Sequence, residues 1–159
     1  MDLSTLFQWV ILGEDGKMRI VHISETCTGC KACQQACQEY HNLPAKVRLM
    51  EILEKTGTYQ MSVCRQCRRA ACISECMEGA ITRNEDGIVV IDESLCIGCG
   101  RCVDACPEYA VRLKKTSRGK KAIKCDVCIN YRKKSDLEGR SRRPVCVEAC
   151  PLQCISIEE

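Results

Sequence analysis

The stretch CIGCGRCVDACP places Cys96, Cys99, Cys102 and Cys106 at gaps of two, two and three residues, with Pro107 closing the run. Thiols this dense either cross-link a chain as disulfides or bind metal. The chain carries 17 cysteines, an odd number. Its opening stretch, MDLSTLFQWV, lacks the basic segment and apolar core of a secretory leader. A soluble, cytoplasmic protein in a reducing compartment is expected, where such usage means metal.

Four cysteine groups repeat along the chain. CTGCKACQQAC supplies Cys27, Cys30, Cys33 and Cys37, and CRQCRRAACISEC supplies Cys64, Cys67, Cys72 and Cys76. The opening stretch is the third. The fourth is split: Cys125 and Cys128 are separated from Cys146 and Cys150 by an insertion containing NYRKKSDLEGRSRRP. Each group ends with two cysteines four residues apart, which on a helix lie on one face about one turn from each other. A single metal site cannot readily take all the thiols of so compact a run. In the bacterial ferredoxin pattern the first three bind one 4Fe-4S cluster and the fourth reaches a second, so four runs serve four clusters. Zinc fits poorly, because its sites combine separated pairs or add histidine, and only His22 and His41 are present.

The segments between groups read as hairpins: AITRNEDGIVVID across Asp86-Gly87, AVRLKKTSRGKKAI at Gly119, VRLMEIL with TYQMSV across Thr56-Gly57, and FQWVILGEDGKMRIVHI around Gly13 to Gly16. The fold class is α+β, with short helices after each cysteine group. Aromatic residues make up only 4% of the chain, so ligation has to do work that burial does elsewhere. Ala80, Ala110 and Cys154 each stand four residues after a closing cysteine and precede a β-branched residue. Cys154 is thus expected to fill a tight packing site and not to be a ligand. Gly29 and Gly98 sit between ligands, where bare backbone can approach sulfur.

These groups, in this order, resemble the four-cluster ferredoxins of the DMSO reductase iron-sulfur subunit family over about residues 18 to 157. CTGCKAC, CRQC with AACISEC, CIGCGRCVDACP, and KCDVC with CVEACP carry the likeness. The resemblance implies two nested ferredoxin-like modules in one polyferredoxin domain, 1–159. The outer module is 18–47 with 111–159, the inserted inner module is 48–110, and 1–17 is an N-terminal extension. It implies Cys27, Cys30, Cys33 and Cys150 on one cluster, and Cys37, Cys125, Cys128 and Cys146 on its neighbour. Cys64, Cys67, Cys72 and Cys106 would hold a third, and Cys76, Cys96, Cys99 and Cys102 a fourth. Met77 stands where the family often has proline, which affects the turn and not the ligation.

Iron fully ligated by cysteine has no open position for substrate but can cycle one electron. No catalytic constellation competes: His22 and His41 are far apart, and neither phosphate-loop frame occurs. His22 is expected on a strand and His41 at a helix cap. The expected function is a non-catalytic electron-transfer subunit of a larger oxidoreductase. A free diffusible ferredoxin and a structural or regulatory iron-sulfur protein are the alternatives. The resemblance implies a partner of the tungsten or molybdenum bis-pterin kind, a hydrogenase, or a flavoprotein or aryl-CoA reductase complex. The resemblance extends to aldehyde oxidoreductase small subunits, some of which stack into filaments, and Leu6, Phe7, Trp9, Val10 and Ile11 are a candidate interface or an ordinary packed strand.

No apolar run reaches the roughly 20 residues needed to cross a bilayer. The formal charge of +3 falls to about −5 once four clusters of about −2 each are bound. Residues 112–143 nonetheless hold 13 Lys or Arg against Asp126, Asp136 and Glu138. Such a run can offset cluster charge, dock an acidic partner or be a solvated loop. Nucleic-acid binding is not expected, since Tyr131 is its only aromatic.

Overall fold

TYQMSV alternates polar with apolar residues and MEILEK carries apolar Met50, Ile52 and Leu53, and between them Thr56 (φ 47°) and Gly57 (φ 79°) both take the left-handed conformation that a two-residue hairpin turn demands. In the computed structural model, which describes residues 18–139 and 143–158, this hairpin joins β2 (Met50–Lys55) to β3 (Thr58–Val63) with Lys55 opposite Thr58. Two more local hairpins follow the same logic. In one, β4 (Ile81–Arg83) pairs with β5 (Val89–Ile91) around Gly87. In the other, β6 (Arg112–Thr116) pairs with β7 (Gly119–Ile123). The fourth pair is not local: β1 (Arg19–His22) runs antiparallel to β8 (Ile155–Glu158), sealed by Arg19 on Glu158 at 2.5 Å. The expected partner strand within residues 7–12, and the candidate interface from Leu6 to Ile11, lie outside the described residues.

The helices stand within the cysteine groups and not after them. α1 (Ala32–Tyr40) contains Cys33 and Cys37, capped by His41 as expected. α2 (Ala71–Ser74), α3 (Arg101–Asp104) and α5 (Val145–Glu148) are single turns holding only the third cysteine of each group, with the fourth two residues beyond the helix end. A turn this short is unfavourable alone, so what holds it is tertiary packing and ligation. α4 (Ile129–Leu137) occupies the insertion, where composition alone suggests a solvated loop.

α1 packs on α5 and α2 on α3. Ile20, Leu49, Met50, Ile52 and Ile155 gather around Cys33, Cys37, Cys146 and Cys150 in one core. Ala80, Ile81, Val89, Val111 and Ala122 gather around Cys96 and Cys102 in another. The architecture is mixed α and β, built of small helices and two-stranded antiparallel pairs. No helix among the described residues is long and apolar enough to cross a membrane.

Candidate metal centres

Each of the four CxxC loops turns through the residue before its second cysteine, which is left-handed in all cases: Gly29 (φ 70°), Gln66 (φ 53°), Gly98 (φ 73°) and Val127 (φ 57°). For β-branched Val127, wholly buried, this is an unfavoured backbone that the surroundings must over-determine. The loop curls around its sulfurs. Backbone N–H groups point at them: Val127 donates to Cys125 Sγ at 3.4 Å, Ala122 to Cys96 Sγ at 3.3 Å and Ala110 to Cys106 Sγ at 3.4 Å. Such bonds favour anionic sulfur and set the potential of iron bound to it.

At Gly98 the backbone approach is closest, because a Cβ there would run into the carbonyl of Lys120. Gly98→Ala is expected to cost about 2 kcal/mol or more, combining roughly 1–2 kcal/mol for the left-handed conformation with the clash. It should lower Tm and loosen metal at Cys96 and Cys99. Gly79→Ala is the control, sharing positive φ (61°) with nothing within 4 Å of its Cβ. Equal melting losses in the two variants would mean the close approach does not matter.

The sulfurs lie close enough to act on one another's ionisation. Burial, then the backbone N–H of Gln34 acting against it, then the thiols of Cys150, Cys30 and Cys27 leave the Cys33 thiol raised to about 11. Cys37 is pushed up to about 12 by burial, then by Cys128, Asp126 and Cys33. Cys146 is raised by burial, then by Cys128, Cys37 and Cys33. Burial also raises Cys67, helped by Cys64 and Cys106. Cys72 rises for the same first reason, with Lys124 opposing and Cys64, Cys106 and Cys67 adding. Cys102 stands at about 11 through burial, then Cys96, with Cys99 and Cys76 following its own backbone N–H. A cavity of about 220 Å³ is lined by Cys76, Cys96, Cys99 and Cys102.

Thiols that hold one another protonated in this way cannot share a site as thiolates unless a cation joins them, and coordinated metal deprotonates a thiol outright. The donor set is therefore one that fits a thiolate-bound cluster. All 17 cysteines are free of disulfides.

Cys154 fills a buried position, 3% exposed, with its Sγ 3.2 Å from Cys150 Sγ. Its thiol is raised to about 12 by burial first and then by Cys150. Burial works against ionisation of Cys150 too, but hydrogen bonds from the Cys154 thiol and the N–H groups of Cys154, Leu152 and Gln153 hold that thiol below the ordinary value. His22 lies on β1, and burial holds its imidazole low. His41 Nε2 is 3.6 Å from Cys128 Sγ, and Asp126 accepts the Cys128 N–H at 2.9 Å. Sequence reasoning missed Asp126, Gln66 and Lys124 as neighbours of the sulfurs. The available signals were an odd residue at the glycine position of CRQC and a basic residue directly before Cys125.

Several residues of the basic segment have partners within the chain. Lys114 pairs with Glu93, Lys133 with Asp86 at 3.6 Å, and Lys121 donates to the Cys96 carbonyl. Contact with a cysteine loop and ion pairs within the chain thus account for several of its charges.

Residues 55–159 match the 4Fe-4S dicluster domain family, and residues 24–40 match a 4Fe-4S binding domain. The B subunit of the anaerobic dimethyl sulfoxide reductase of Escherichia coli K12 is 36% identical, over 83% of this chain and 68% of the relative. Its Haemophilus influenzae counterpart is 38% identical, over 83% and 69%. The thiosulfate reductase electron transfer subunit of Salmonella typhi is 36% identical, over 86% and 72%. Clustered thiols on a small α and β scaffold, with these matches along most of the sequence, place the chain in the DMSO reductase iron-sulfur subunit family, electron-relay subunits of multi-subunit oxidoreductases.

Proposed function

We propose that this chain holds four 4Fe-4S clusters in single file and relays single electrons between a catalytic molybdenum or tungsten bis-pterin subunit and a second redox partner. The observation that carries the reading is the partition of the sulfurs. Cys33 feels Cys150, Cys30 and Cys27; Cys102 feels Cys96, Cys99 and Cys76. These neighbours come from opposite ends of the sequence in the first case and from adjoining groups in the second. That is the pattern of an outer module, 18–47 with 111–159, wrapped around an inner one, 48–110. The packing of α1 on α5 and α2 on α3 supports the same division, although the β6–β7 hairpin lends Val111 and Ala122 to the inner core.

Sets of Cys27, Cys30, Cys33 and Cys150, of Cys37, Cys125, Cys128 and Cys146, of Cys64, Cys67, Cys72 and Cys106, and of Cys76, Cys96, Cys99 and Cys102 would each hold one cluster. Clusters so ligated supply one-electron cycling with no open coordination position. The chain supplies the proximity. Cys33 with Cys37, and Cys146 with Cys150, tie the first site to the second; Cys72 with Cys76, and Cys102 with Cys106, tie the third to the fourth. Cys64 is the thiol that most raises the buried Cys125 after burial itself, which supports a third site beside the second. A cytoplasmic working place is consistent with so many unpaired thiols.

Anaerobic purification from the native host, with metal and sulfide analysis, tests this. About sixteen iron per chain with a molybdenum- or tungsten-bearing subunit attached is the expected result. Full iron on an isolated chain would favour a free carrier, and zinc in place of iron would end the cluster reading.

A further inference from the structure

Lys124 is 6% exposed, and no carboxylate among the described residues lies in ion-pair range of it. A buried ammonium without an anionic partner is costly. Its contacts are instead two groups from different cysteine runs: it donates to Cys64 Sγ at 3.4 Å and to the Cys125 carbonyl at 2.9 Å. The same carbonyl accepts Gln66 Nε2 at 2.9 Å, while Gln66 Oε1 accepts the Val89 N–H at 2.8 Å. Gln66 is itself 2% exposed. A buried polar clamp thus closes the junction where CRQC meets KCDVC, and its one formal charge is Lys124.

We propose that Lys124 is a positioning and tuning residue whose positive charge raises the potential of the cluster held by Cys64, Cys67, Cys72 and Cys106. The inference rests on the ligand sets given above. One-electron reduction adds one negative charge at that site, with the electron arriving from a neighbouring site of the relay. A cation at hydrogen-bond distance from one of the ligand sulfurs, inside a poorly polarisable interior, favours the more negative state. The anionic site in turn is what balances the buried ammonium. Lys124 also opposes the rise of the Cys72 thiol, so its field spans the site and is not confined to Cys64. Among the described Lys and Arg residues of the basic segment, it is the one that is buried.

The test is reductive titration of the anaerobically purified complex, followed by electron paramagnetic resonance, for the wild type, Lys124→Met, Lys124→Arg and Cys64→Ala. Cys64→Ala identifies the signal of the third site; if it removes no iron, the ligand reading itself fails. With that signal identified, Lys124→Met is expected to make the third site at least tenfold harder to reduce, equivalent to 59 mV for a one-electron couple. Lys124→Arg should stay within about threefold of the wild type. Should Lys124→Met fail to retain the iron of this site while Lys124→Arg retains it, the requirement for charge is upheld in stronger form. Full iron with unmoved potentials in Lys124→Met, or equal damage from Met and Arg, overturns the inference and leaves Lys124 as packing alone.

Discussion

Stripped of iron by a chelator under reducing conditions, the protein is expected to lose its fold along with its redox centres. Every sheet among the described residues has two strands, and an isolated two-stranded pair is marginal in water. Three of the five α-helices among the described residues are single turns of four residues, far below the length at which a helix sustains itself. The core has little to substitute, with one Trp and one Phe in the chain. Sulfur lines what remains: Cys33, Cys37, Cys96, Cys102, Cys125, Cys128, Cys146 and Cys150 are all buried. Circular dichroism and amide hydrogen exchange are the measurements. Collapse on iron removal and recovery on adding iron and sulfide are expected; an apo chain with a cooperative melt within a few degrees of the holo-protein would show that the clusters do not hold the fold.

How much of this was legible in the sequence depends on distance along the chain. Local turns were readable, because Thr56-Gly57 and Asp86-Gly87 name their own geometry, and His41 at the end of α1 followed from the cysteine-bearing helix before it. The β1–β8 pairing was not, since nothing in RIVH specifies ISIE as its partner over a separation that spans nearly the whole chain. The helices shrank for a related reason: cysteines four apart suggest a continuous helix, but in three groups the helix closes before the fourth cysteine, whose N–H bonds back to the carbonyl three residues earlier. Glycine at Gly29 and Gly98 announced the tight loops, whereas Gln66 and Val127 do the same job against their intrinsic preference. Lys124 was hidden among 13 basic residues in its segment, because composition does not say which one folds inward.

Cys27→Ala and Cys150→Ala are expected to abolish one and the same cluster, each lowering iron from about sixteen to about twelve per chain. The two cysteines come from opposite ends of the chain, yet both raise or neighbour the Cys33 thiol. Because they would serve one site, the double variant should lose no more iron than either single one, while Cys27→Ala with Cys146→Ala should lose about eight, two clusters' worth. The inner pair makes the same argument independently: Cys76→Ala and Cys102→Ala should coincide, as both line one cavity. Cys154, whose Sγ is 3.2 Å from that of Cys150, is near enough to take the place of a missing thiolate, so Cys150→Ala needs to be made with and without Cys154→Ala. If modules were strung consecutively instead of nested, the coincidence would fall between Cys27 and Cys76. Iron analysis of the Cys27/Cys150, Cys76/Cys102 and Cys27/Cys76 double variants, with resonance spectra to show which signal disappears, separates the two connectivities without reference to activity.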